Sequence, residues 1–261
     1  MTEAAELPGP IVRAFKIVSV ISEASRPLTH REIAAAVGVP ASTTHRLLRM
    51  MCSIGLAEVD RAEDEHRYKP GPWLTKIAYG VIGKTDVAAA APPFVRAIVD
   101  EINATTMLWL YFDGSRLMMP GPAVSSSHRL DFRSIGFMPR GLAWGCVGRS
   151  VLAHLSDQHV DHAMTAEPVS PTGRQIEPKE ELAAELKAIR ARGYAISTGH
   201  TIQDAVGFAS AVFDYRGQPL GCLGCTIPMI RFDPADEARY GDVVRRQAQR
   251  LSDTLGYRPT R

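Results

Sequence analysis

Ser42, Thr43, His45, Arg46 and Arg49 lie close together on what reads as one helix, and they carry hydroxyl, imidazole and guanidinium groups. Hydroxyl and imidazole groups can hydrogen-bond base edges, and guanidinium groups can neutralise phosphate. The apolar positions of the same stretch, Thr44 (through its methyl), Leu47, Leu48 and Met51, fall at helical spacing on the other side, which leaves the polar set outward. Small hydroxyl residues come first and arginines later. That order suits a helix whose start enters a major groove and whose later turns grip phosphate. The plain alternative is the solvated face of a helical hairpin.

Other chemistry-bearing groups are less organised. Cys222-Leu223-Gly224-Cys225 has redox or metal spacing, but residues three apart on a predicted strand point to opposite faces. His154, His159 and His162 have no neighbouring cysteine, so no zinc site is expected. Gly148-Arg149-Ser150-Val151-Leu152 lacks the second glycine of a nucleophile elbow. No glycine-rich phosphate loop of recognised spacing occurs, and no cofactor is expected. Two alternative readings stay open: a small-molecule hydrolase using Ser150 or Cys146 with a histidine, and a redox or metal sensor using Cys146, Cys222 or Cys225.

The elements around the polar helix are those of a DNA-reading bundle. Thr29 and Glu32 have capping-box spacing. Ile33, Ala34 and Val37 continue on one face, Gly38 can end the helix in the left-handed conformation, and Pro40 suits the first turn of the next. Upstream, Ile11, Phe15, Val18 and Ile21 predict the packing face of a third helix. Downstream, Ile54 to Val59 and His66 to Lys69 predict a hairpin around the turn Asp60 to Glu65. That hairpin would be a wing, with Arg67 and Lys69 toward phosphate. Acids roughly balance bases over residues 1–70, but Ile33 to Ala57 contains no Asp or Glu. A DNA surface would therefore be local.

The 261 residues exceed one small DNA-binding module and imply a second, larger domain. A net charge of +2 argues against a broadly basic coat. Four cysteines in this length do not suggest a disulfide scaffold. No run approaches a membrane span, and Met1 to Pro10 lacks the basic start of a signal peptide, so a cytoplasmic protein without membrane partners is expected. Three segments are predicted: a winged helix-turn-helix domain over 1–71, a linker helix over 72–87, and a domain over 88–261. The last contains a helix over 88–103 and strands over 105–112, 115–119, 193–197, 206–213 and 220–227. Helices are expected over 148–155, 157–164, 179–192 and 234–255. Strands in series with interspersed helices give an α+β class around a mainly antiparallel, GAF-like sheet.

At this point the chain resembles the isocitrate-lyase-regulator (IclR) type of bacterial transcriptional regulator over nearly its whole length. Val39-Pro40-Ala41-Ser42-Thr43-Thr44-His45-Arg46-Leu47-Leu48 looks like the family's proline-led recognition helix. Gly148-Arg149-Ser150-Val151-Leu152-Ala153 is similar to the Gly-Lys segment that opens a helix beside the effector pocket. Ile189 to Ala195, Phe208 to Asp214, Leu220 to Leu223 and Leu251 to Gly256 follow the family's order. The resemblance implies a homodimer, or a dimer of dimers, that binds double-stranded operator DNA and a small organic effector and controls a catabolic operon. Carried over by motif, the effector would meet Trp144, Gly145 and Cys146, then Thr198, Gly207, Gly224 and Thr226. The family usually has a Thr-Ala pair where Gly145-Cys146 stands, often acidic residues where Ser197 to His200 stand, and frequently Ser where Gly224 stands. Loss of these polar side chains, with Trp144, suggests a larger and more apolar cavity and an aromatic acid or relative, with Met107, Trp109 or Trp144 against the ring. Core packing is the alternative for Met107 and Trp109. For an anionic ligand, Arg129, Arg133 or Arg149 could add charge beside the N–H groups at the start of the Gly148 helix.

Overall fold

Helix α1 (Pro10–Glu23) opens the first of two units, Met1–Gly83 and Lys84–Arg261, in a computed structural model that describes residues 9–24, 26–60, 66–82, 86–132 and 138–258. It packs on α2 (His30–Val37) through Ile17 and Ile21, with Ala14 and Val18 half-buried. Val18 and Ile21 of the expected face do pack, but its other half is corrected: Ile11 is 84% and Phe15 71% exposed. Helix α1 carries apolar residues on more than one face, and spacing alone does not say which meets the bundle.

Helix α2 starts with the full capping box: Glu32 N–H donates to Thr29 Oγ1 (3.2 Å) and Thr29 N–H donates to Glu32 Oε2 (2.8 Å). Gly38 ends it at φ +67°. Pro40 lies at the cap of α3 (Ala41–Ser53), one residue earlier than expected, so its missing N–H falls outside the helix. Thr44, Leu47, Leu48 and Met51 are buried, as their spacing requires. Strands β2 (Ala57–Asp60) and β3 (Arg67–Pro70) form the wing, with its expected turn largely outside the described residues. A two-residue strand, β1 (Leu28–Thr29), pairs with the other edge of β3. Two residues carry no period, so sequence could not show it. Helix α4 (Pro72–Ile82) follows.

The second unit is built on a wholly antiparallel sheet in the order β5-β4-β8-β7-β6. Its strands are β4 (Thr105–Phe112), β5 (Leu117–Val124), β6 (Ala195–Thr198), β7 (Ala205–Phe213) and β8 (Pro219–Pro228). Strand β5 runs five residues further than expected and includes Pro120 and Pro122, which blunt a sheet edge. Helices α5 (Asp86–Ala90) and α6 (Pro92–Ile102) break at the prolines. Alternation along β7 separates two layers. Phe208 meets Tyr240 of α10 (Glu237–Thr254). Ala209 joins the core made with α7 (Gly145–Leu152), α8 (Asp157–Ala166) and α9 (Lys179–Arg192).

Arg149 fixes the start of α7. Its side chain is 2% exposed, with Nη1 2.7 Å from Glu177 Oε1, a second ion pair to Glu185, and Nε–H donating to Ala143 O (2.8 Å). Glu167 holds the same loop from the other side. Its Oε1 accepts from Leu142 N–H (2.9 Å), and its carbonyl accepts from the Trp144 indole N–H (2.9 Å). Gly148 completes the clamp, because a Cβ there would lie 2.6 Å from Gly141 O. The helix therefore begins at Gly145, three residues before the expected start.

Two outcomes follow from these anchors. Thr29→Ala should lower stability by about 1 kcal/mol in urea denaturation. The Arg26 side chain, aided by the Thr29 amide, holds the Glu32 carboxyl down to about 2 from an ordinary 4.5. Ionised Glu32 thus stabilises fully above pH 4.5 and progressively less toward pH 2; Glu32→Gln should flatten that part of the stability–pH curve. Arg149→Met should cost about 3 kcal/mol, because it strands two carboxylates and a carbonyl. A loss under about 1 kcal/mol on the same measurement would contradict its anchoring role.

Candidate functional site

On α3, Ser42, His45, Arg46 and Arg49 are exposed and Thr43 is half-buried. Arg46 and Arg49 make no ion pair among the described residues, and neither does Arg31 of α2. Three nearby basic groups are engaged: Arg67 Nη1 lies 3.7 Å from Glu32 Oε2, Lys69 Nζ lies 3.7 Å from Glu58 Oε1 across the hairpin, and Arg26 pairs with Glu32. The His45 ring stands edge-on to His30 of α2 at 5.5 Å. The cationic groups of α3 are thus available to phosphate, as is Arg31, while Arg67 and Lys69 would first have to leave an acid.

In the second unit a cavity of about 30 Å³ lies at the start of α7. Trp144, Gly145, Cys146 and Val147 form one wall, and Trp109, Gly207, Gly224 and Thr226 form the sheet floor. Ser197, the Gly199–Ile202 loop and Arg140 close it. The Ser197 hydroxyl accepts from Cys146 N–H (2.9 Å), which satisfies one orphan donor of the helix start. Gly145 has φ +77°, a conformation that favours glycine. Gly207 must lack a side chain, since a Cβ would sit 2.6 Å from Cys146 Sγ.

Seven of the nine residues assigned to the effector line this cavity, and Met107 and Thr198 do not. Met107 is buried in the core under α7 and α9. Thr198 is exposed and faces an open groove, while its neighbour Ser197 faces the cavity. One step along a strand reverses the side chain, so an assignment off by one lands on the wrong face. The cavity is smaller than expected. The space holds about one or two waters, because Trp144, fixed by its indole hydrogen bond, fills volume, and Ser197, His200, Thr201, Thr226 and Arg140 add polar groups to a lining that is otherwise apolar. Of the arginines considered, Arg129 is exposed, Arg149 is engaged by Glu177 and Glu185, and Arg133 lies outside the described residues. Arg140 was missed. It sits between elements, in Pro139-Arg140-Gly141, where no periodicity marks an inward side chain.

The alternative chemistries gain little. Cys146, Cys222 and Cys225 are all buried, and burial pushes their thiols up, Cys146 to about 11. They are therefore protonated near neutrality and poor nucleophiles. Ser150 Oγ donates to Val147 O and not to a histidine. Ser156, His159 and Asp113 do form a chain (2.8 and 3.0 Å), but Asp113 is 76% exposed, so the group is open to water and ties the β4–β5 turn to α8. His154 packs edge-on against Phe213, and burial lowers it to about 4. Among the described residues no set of three or more His, Cys, Asp or Glu is placed to hold a metal, and no helix is long and apolar enough to cross a membrane.

Known proteins share both units. The model of the bacterial transcriptional regulator IclR C-terminal domain matches residues 79–253, and that of the IclR helix-turn-helix domain matches residues 10–61. The probable transcriptional regulator SauR of Cupriavidus necator is 24% identical over 221 residues, covering 84% of this chain and 86% of that protein. An IclR transcriptional regulator from Alicyclobacillus acidocaldarius has the same fold, with a TM-score of 0.79 at 20% identity over 96% of this chain and 100% of that one. So does an IclR homolog from Microbacterium hydrocarbonoxydans complexed with 4-hydroxybenzoate, with a TM-score of 0.75 at 16% identity over 94% of this chain and 98% of that one. With a helix-turn-helix in one unit and the matching α/β domain in the other, the chain belongs to the IclR family of bacterial transcriptional regulators.

Proposed function

We propose that this regulator controls a catabolic operon: α3 reads operator DNA, and a small organic effector, bound in the cavity at the start of α7, changes that binding. The observation that carries the effector half is the cavity at the start of α7, where Arg140, Ser197, His200 and Thr226 converge beside Trp109 and Trp144. A mostly apolar space with a few convergent polar groups is what a small-molecule site requires. The relative complexed with 4-hydroxybenzoate supports an aromatic acid as one candidate. A ring exceeds about 30 Å³ of free space, so such a ligand requires the Gly199–Ile202 wall to move outward.

The regulator acts as a homodimer. Ile11 and Phe15 on α1, with Trp73 and Ile77 on α4, expose more than half of each side chain within one unit. Apolar surface of this kind marks an association face, and pairing would double the contacts that one nearly neutral module makes to DNA.

Two measurements test this reading. In mobility-shift assays on the chain's own upstream DNA, Thr43→Ala with Arg46→Ala should abolish sequence-specific binding, while unimpaired binding would refute the role of α3. Ile11→Asp with Phe15→Asp should yield monomers in sedimentation and weaken DNA binding more than tenfold; an unchanged dimer would remove α1 from the interface.

A further inference from the structure

Of the half-buried arginines of the second unit, Arg231 pairs with Asp131 at 3.1 Å and donates to Asn103 O, and Arg192 donates to Tyr194 O. Arg116, in the turn beside Asp113, and Arg140 have no side-chain hydrogen bond among the described residues, and of these two only Arg140 faces a cavity. Arg140 has no acid and no side-chain hydrogen bond among the described residues. The adjoining residues 133–137, Arg-Ser-Ile-Gly-Phe, bring no acid either. Its guanidinium lies over the Trp109 ring at 5.5 Å, on the cavity wall near Cys146.

A cation taken out of water without a counter-charge is unfavourable. The same burial lowers the Arg140 pKa. A guanidinium presents planar paired donors that match a carboxylate. The cavity also contains a second unmet polar group, because His200 Nδ1 is buried with no hydrogen-bond partner among the described residues. His200 stands edge-on to Trp144 at 5.7 Å, and desolvation lowers it to about 4, so the ring is neutral at pH 7.

We propose that Arg140 selects the effector by charge, binding its carboxylate, so that the cavity takes organic acids and rejects their neutral amides. His200 contributes the second contact, to a hydroxyl or carbonyl group on the acid. This assignment rests on the reading that the cavity is the effector site.

The full chain is tested by thermal shift against glycolate, pyruvate and 4-hydroxybenzoate and the three corresponding amides. The proteins are wild type, Arg140→Met and Arg140→Lys. At least one acid should raise the wild-type Tm while its amide does not. Arg140→Met should weaken that acid more than tenfold, and Arg140→Lys should weaken it less. With no ligand, Arg140→Met should melt at or above the wild-type temperature, because it removes an unpaired charge; a merely structural arginine would instead lower it. The assignment is overturned by an amide that matches its acid, by an Arg140→Met affinity within twofold of wild type, or by a panel in which no acid stabilises wild type. An acid that binds through Arg140 but leaves DNA occupancy unchanged would count against the regulatory reading and leave Arg140 as the anion reader.

Discussion

The buried guanidinium of Arg149 reaches three groups from three parts of the chain: the Ala143 carbonyl before α7, Glu177 before α9, and Glu185 within α9. Because Arg149 itself is buried, losing both carboxylates would leave its charge without compensation, and that penalty ties the Gly141–Trp144 loop to the helix layer. Glu167 grips the loop from the opposite side, and Gly148 allows the backbone approach. Every other feature of the candidate site depends on this clamp, since it sets where α7 begins and aims its first N–H groups at the β6–β7–β8 surface.

The clamp explains why the cavity is small. Trp144, pinned by its own hydrogen bond, occupies space that sequence reasoning assigned to a ligand. Glycine at 207 makes room for the Cys146 sulfur. What remains is a narrow space whose lining includes an arginine with no acid and a histidine nitrogen with no hydrogen-bond partner among the described residues. Electrostatics act in a parallel way in the first unit, where Arg26, Arg67 and Lys69 are held by Glu32 or Glu58 while Arg31, Arg46 and Arg49 make no ion pair among the described residues.

Patterned segments were legible in the sequence. The capping box, Gly38, the Thr44–Leu47–Leu48–Met51 stripe and the strand order around the β7–β8 turn follow from local propensity and period. The placement of Cys222 and Cys225 on opposite faces of β8 follows from strand alternation: Cys222 packs under α7, and Cys225 does not join that core. The misses have a common cause. Ile11, Phe15, Val18 and Ile21 fit one helical row, but Ile17 takes the place of the first two in the core, and only the partner surface decides which part of a row is covered. Thr198 and Ser197 differ by one step along a strand. Arg140 and His200 lie in irregular backbone, where side-chain direction is set by tertiary contacts and not by any repeat.

The central claim is that the space beside the Arg149-anchored helix is where the effector acts, and filling it tests that claim most directly. Operator occupancy of wild type and Thr226→Phe would be titrated in mobility-shift assays with those acids that raise the wild-type Tm. The account predicts DNA affinity within twofold of wild type and no response of Thr226→Phe to the acid. A response at the wild-type concentration would place the effector elsewhere and contradict the account.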